Sequence, residues 1–142
     1  MGTLIDLAAV IVDCAQAPPV AEFYRQALGG EILSRDDDSV MLGVAGLRII
    51  FREVPSFQPP SWPGTDVPMQ VHLDFEADDL DATEAELRRL GATTPEYQAH
   101  RSDGLIVLRD PAGHLFCIGT RLPAQRDPGP SSSDAGPTKP VR

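Results

Sequence analysis

Apolar positions along the chain switch between two periods. "LAAVIVD" (Leu7–Asp13) is a short apolar run ending in an acidic residue, and it predicts a strand. Downstream, Val20, Phe23, Tyr24, Ala27 and Leu28 recur at the i, i+3, i+4, i+7, i+8 spacing of one helix face. Pro18 or Pro19 suits the first turn of that helix, and Gly29-Gly30 supplies its stop. Three short strands follow, near Glu31–Ser34, at Ser39–Val44 and at Leu47–Val54. Asp36-Asp37-Asp38 and Gly46 mark the turns between them.

The same order returns after the linker "PSFQPPSWPGTDVP". "QVHLDFE" (Gln70–Glu76) reads as a strand, and Asp78 or Asp79 caps the helix after it. Leu80, Thr83, Leu87 and Leu90 form that helix's buried stripe, while Glu84, Glu86, Arg88 and Arg89 take the wet side. Gly91 closes it. Strands are then expected near Thr94–Ala99, at Leu105–Asp110 and at Leu115–Thr120, the last two joined by the tight turn "DPAGH". The two rounds superimpose. A shift of 62 sets Leu28-Gly29 on Leu90-Gly91; a one-residue slip in the preceding loop brings Ala9 opposite His72, and without the slip it is Val10. Gly46 matches Gly113, which sets Ile50 opposite Cys117. A βαβββ unit given twice is an internal duplication.

With 142 residues, 42% of them hydrophobic, the chain can build one domain with a real core. We expect a single domain over residues 1–122: a first module near 4–56, a linker at 57–68 and a second module near 69–122. Pro123–Arg142 is almost free of apolar residues, cannot offset its ordering entropy by burial, and reads as a disordered tail. The formal net charge of −9 argues against nucleic-acid and anionic-membrane partners. Cys14 and Cys117 lie far apart and read as reduced, buried thiols. There is no basic n-region before "LAAVIV" and no run of membrane-spanning length, so a cytoplasmic location is the expectation.

Four stretches, "IVDCAQAPPVAEFYRQALGGEI", "LRIIFREVPSFQPPSWPG", "VHLDFEADDLDATEAELRRLGA" and "LRDPAGHLFCIG", together resemble the vicinal oxygen chelate superfamily. That superfamily includes glyoxalase I, bleomycin-resistance proteins and extradiol dioxygenases, and the chain is most similar to its glyoxalase-like subgroup. The resemblance implies an α+β fold in which two tandem βαβββ modules form paired curved sheets around a central cavity, with the helices outside. It also implies a homodimer. In "QVHLDFE", Val71, Leu73 and Phe75 share one face and His72, Asp74 and Glu76 the other. With the apolar face against the helix, His72 and Asp74 point into the cavity.

Catalytic relatives in the superfamily hold one divalent metal at four strand positions. Transferred here, these fall on Ala9 or Val10, on Ile50, on His72 and on Cys117. Only His72 and Cys117 carry donors, short of the three protein ligands a catalytic zinc site uses. Asp74 rescues the set only if the site is distorted. His72 is thus a weak metal candidate, and the expectation is no cofactor. His72 and Asp74 are candidate acid/base residues. His72, Asp74, Cys117, Arg52, Trp62 and Phe57 are candidate ligand-binding residues, the two linker aromatics as a lid over a flat ligand. His100 and His114 read as surface residues. The function expected is capture of an aromatic or hydrophobic small molecule by a bleomycin-resistance-like protein with an incomplete metal site. The alternative is an enzyme of the superfamily: a metal-dependent lyase, isomerase or dioxygenase, or a metal-free acid/base catalyst using His72 and Asp74.

Overall fold

The computed structural model describes residues 2–121; the tail expected from Pro123 lies outside the described residues. The chain runs β1 (Val10–Cys14), α1 (Ala17–Leu28), β2 (Glu31–Arg35), β3 (Ser39–Val44), β4 (Leu47–Glu53), β5 (Leu73–Ala77), α2 (Leu80–Leu90), β6 (Leu105–Arg109) and β7 (Leu115–Thr120). Two sheets result, ordered β1-β4-β3-β2 and β5-β7-β6. In each, the strand before the helix pairs parallel with the last strand of the repeat.

Both helices end as the sequence predicts. Gly29 takes the left-handed conformation at φ 73° and returns its N–H to Arg25. Asp79 accepts from the Ala82 N–H at 3.0 Å and caps α2. The helices cover one side of the sheets. Val20, Phe23 and Tyr24 of α1 meet Phe51 and Phe116, and Leu87 of α2 joins the same core. Tyr24 stacks on Phe51 at 5.4 Å between ring centres, and Phe23 lies 6.0 Å from Phe116.

Strand registers settle the alignment of the two repeats. Ile11 pairs with Ile50 in the first sheet, and Asp74 pairs with Cys117 in the second. Since Ile50 and Cys117 are equivalent, Ile11 answers Asp74 and Ala9 answers His72, so the one-residue slip is real.

Three expectations need correction. The first strand begins at Val10, not Leu7, because Leu7 would fall opposite Gly46 in the β3–β4 turn, where nothing can pair with it. His72 stands immediately before β5 instead of within it, since the ladder with β7 starts at Leu73. The strand expected near Thr94–Ala99 shrinks to a single bridge, Thr93 to Arg109. Pro95 cannot donate to a ladder. The Gln98 side chain stands in for the missing strand: its amide donates to the Val107 carbonyl at 2.8 Å and accepts the Val107 N–H at 2.9 Å.

Candidate functional site

A cleft of about 630 Å³ runs between the open edges of β1 and β5. Val10–Asp13 form one wall, Gln70–Leu73 the other, and the linker from Val54 to Met69 crosses the mouth. Each edge strand sends one face toward the core, Val12 from β1 and Phe75 from β5. The chain between them is proline-rich and turns at Pro55-Ser56, and a loop in it is closed by the Ser61 N–H on the Val67 carbonyl at 2.8 Å. Tyr24, Asp110, His114 and Leu115 close the inner end.

The inner end is a buried polar cluster. The Tyr24 hydroxyl donates to Asp110 Oδ2 at 2.7 Å. The other carboxylate oxygen, Oδ1, accepts from the backbone N–H of Ala112 at 2.8 Å and of His114 at 3.0 Å. Burial raises the Asp110 pKa above its ordinary value, with the Tyr24 bond and the nearby His114 opposing. Burial, and then the Asp110 charge, push the Tyr24 phenol well above its usual range. His114 was expected at the surface; it is half-buried instead, with Nε2 2.6 Å from the Asp13 carbonyl oxygen and its ring 5.2 Å from Phe57. The turn "DPAGH" folds back under the linker, and that return carries the imidazole inward. The sequence did hold a signal: a tyrosine on a buried helix face needs a partner for its hydroxyl. His100 is exposed, as expected, beside Asp103.

A second grouping flanks the outer end. His72 Nε2 lies 3.2 Å from Asp74 Oδ1. One donor atom from each of His72, Asp74 and Cys117 lies within 4.8 Å of the others. Asp74 therefore joins the other two by plain strand register, without the distortion expected for it. A nitrogen, a carboxylate oxygen and a sulfur are a donor set that fits zinc with one position left open, and sulfur is too soft for Mg²⁺ or Mn²⁺. A metal is thus allowed here. Burial raises the Cys117 thiol to about 11, and Asp74 adds to the shift. At neutral pH it is protonated and no nucleophile.

The expected ligand-binding residues divide. His72 and Phe57 line the cleft. Asp74 and Cys117 adjoin it through His72. Arg52 sits on the first sheet, held by the Asp13 carboxylate at 2.8 Å. Trp62 packs with Met69 over Val107, Leu115 and Cys117 and donates its indole N–H to the Tyr97 carbonyl at 3.2 Å. Among the described residues, no helix is long and apolar enough to cross a membrane.

This duplicated fold, with its cleft at the junction of two sheets, defines a protein class that sequence comparison identifies directly. A family model described as "Glyoxalase-like domain" matches residues 9–119, and the chain belongs to that family, within the vicinal oxygen chelate superfamily. No curated protein matches the sequence. Among solved structures, the fosfomycin resistance protein FosX from Listeria monocytogenes is similar at 18% identity and TM-score 0.62, covering 84% of this chain and 96% of its own. A glyoxalase family protein from Enterococcus faecalis matches at 17% identity and TM-score 0.61, covering 82% of this chain and 98% of its own. A FosX mutant from L. monocytogenes, solved with Mn(II) and 1S,2S-dihydroxypropylphosphonic acid, matches at 19% identity and TM-score 0.61, covering 82% of this chain and 90% of its own. At these identities the likeness speaks for the fold.

Proposed function

We propose that the protein binds a small, largely apolar molecule in the cleft between β1 and β5. The observation that carries this reading is the cleft itself. Its volume of about 630 Å³ falls within the size range of small-molecule sites, roughly 300–1,000 Å³. Its walls are mostly aliphatic and aromatic, with Asp13, Gln70, His72 and the Tyr24–Asp110–His114 cluster among the polar groups that line it. Capture without chemistry, as in bleomycin resistance, needs no more than this. The test is a thermal-shift and calorimetric screen against planar aromatic compounds, repeated on Val71→Trp. Val71 is exposed and lines the cleft, so tryptophan there fills space without disturbing the core. Saturable binding lost in Val71→Trp supports the reading; binding to nothing, or binding indifferent to Val71→Trp, defeats it.

The convergence of His72, Asp74 and Cys117 favours a second reading, an enzyme of the superfamily. These three residues would hold a zinc ion, which would act as a Lewis acid on a ligand in the adjoining cleft. Without a metal, His72 oriented by Asp74 is the acid/base pair. Zinc calorimetry on the wild type and on His72→Ala separates these cases: stoichiometric binding abolished by the substitution supports the metal site.

A homodimer belongs to the same proposal. Leu4, Ile5 and Leu7 are 99%, 84% and 74% exposed, a cost that a second copy would relieve. Light scattering should give twice 15.3 kDa, and a mass of 15.3 kDa would exclude the dimer. Two unpaired thiols accord with a reducing compartment, and we place the protein in the cytoplasm, to be checked by cell fractionation.

A further inference from the structure

We infer that His114 Nδ1 is the acceptor at the inner end of the cleft, so that the bound molecule carries an uncharged O–H or N–H donor on its apolar body. The inference rests on the cleft being the binding site, and it names the chemical group that site selects.

The tautomer follows from one contact. His114 Nε2 lies 2.6 Å from the Asp13 carbonyl oxygen, and a carbonyl can only accept. Nε2 therefore carries the hydrogen, and in the neutral ring Nδ1 keeps its lone pair. The ring is fixed in place. Phe57 packs on it at 5.2 Å, and the backbone N–H of His114 is tied to Asp110 Oδ1 at 3.0 Å. Turning the ring over would break the Asp13 bond.

Nδ1 has no hydrogen-bond partner among the described residues. No buried side-chain nitrogen or oxygen among them lacks a partner, so Nδ1 keeps access to solvent in the cleft that His114 lines. The neighbouring polar groups are already engaged. Tyr24 gives its hydrogen to Asp110 Oδ2, and Asp110 Oδ1 takes the N–H groups of Ala112 and His114. His114 Nδ1 is the side-chain polar atom of that cluster that makes no hydrogen bond among the described residues. The Asp110 carboxylate and the Asp13 carbonyl oxygen beside the ring also disfavour an anion at that end.

Matched probes test this. Phenol and anisole differ by the donor hydrogen, as do indole and N-methylindole. On the free protein, two-bond ¹H–¹⁵N spectra should show His114 protonated at Nε2 and bare at Nδ1. Phenol and indole should bind about threefold to tenfold tighter than their methylated partners, the yield of one net hydrogen bond. Each should also move the His114 Nδ1 resonance. His114→Phe keeps a ring against Phe57 and should erase the preference. Equal affinities within each pair, a preference that survives His114→Phe, or an Nδ1–H tautomer in the free protein overturns the assignment. The spectra and the probe pairs are read on the unsubstituted chain, so the answer stands even if His114→Phe does not fold. Failure of all four probes to bind would remove the cleft reading and this one together, whereas binding without discrimination removes this one alone.

Discussion

Tyr24 donates its hydroxyl to Asp110 Oδ2 at 2.7 Å, joining α1 of the first repeat to the last turn of the second across 86 residues of sequence. Asp110 is only 4% exposed, so its carboxylate depends on this bond and on two backbone N–H groups in place of water. Tyr24→Phe removes one of the three and leaves a buried acceptor short of a partner. We expect a loss of about 1.5–3 kcal/mol, read as a lower urea midpoint with unchanged slope. A midpoint equal to wild type would show that the bond contributes nothing net.

The same carboxyl sets a pH dependence. Its folded pKa is raised above the ordinary value of 3.8, chiefly by burial. A raised folded pKa means that its favourable contribution is complete below the unfolded value and is lost as pH rises through the folded one. Asp110→Asn cannot titrate. The stability of wild type relative to Asp110→Asn should therefore grow as pH falls from 8 toward 4, measured by chemical unfolding at each pH. A difference that is flat, or that shrinks on acidification, contradicts the assignment.

Cys14 and Cys117 are each raised to about 11, in both cases first by burial, and then by Glu53 for Cys14 and Asp74 for Cys117. Neither carries appreciable thiolate at pH 8. Ellman's reagent should react slowly with the native protein and rapidly with two thiols once it is unfolded in guanidinium. Fast labelling of Cys117 in the native state would restore it as a nucleophile.

Gly113 holds φ +91°, and a β-carbon there would lie 2.6 Å from Pro59 Cβ. Gly113→Ala combines backbone strain with a clash against the linker that roofs the cleft. A cost of about 2 kcal/mol or more is expected, with weakened ligand binding as the linker is displaced. Thermal unfolding and calorimetry would measure both, and an unshifted melting temperature would mean that the linker yields freely.

Gln98 satisfies both backbone groups of Val107 with one side chain. Gln98→Ala would leave the edge of β6 open at that residue. We expect amide exchange at Val107 to accelerate by about tenfold or more, with a stability loss of about 1–3 kcal/mol. Unchanged protection at Val107 would show that water replaces the side chain without penalty.

Local spacing alone determined the two helices, their glycine stops, the Asp79 cap and the duplicated order of strands, because helix periodicity and turn chemistry act over a few residues. Face alternation also placed His72 and Asp74 on one side of a strand. Tertiary structure decided what lay beyond that range. Strand register, which depends on the partner strand, moved the start of β1 to Val10, put His72 just outside β5 and brought Asp74 beside Cys117. The edge near Thr94–Ala99 was lost because a side-chain amide could do the work of a strand against Val107. His114 entered the cleft because the last turn folds under a linker more than fifty residues earlier in the chain, next to a carbonyl at Asp13 that is farther still. Contacts of that sequence separation leave no periodic trace along the chain, which is why the fold was legible from the sequence and the inner end of the cleft was not.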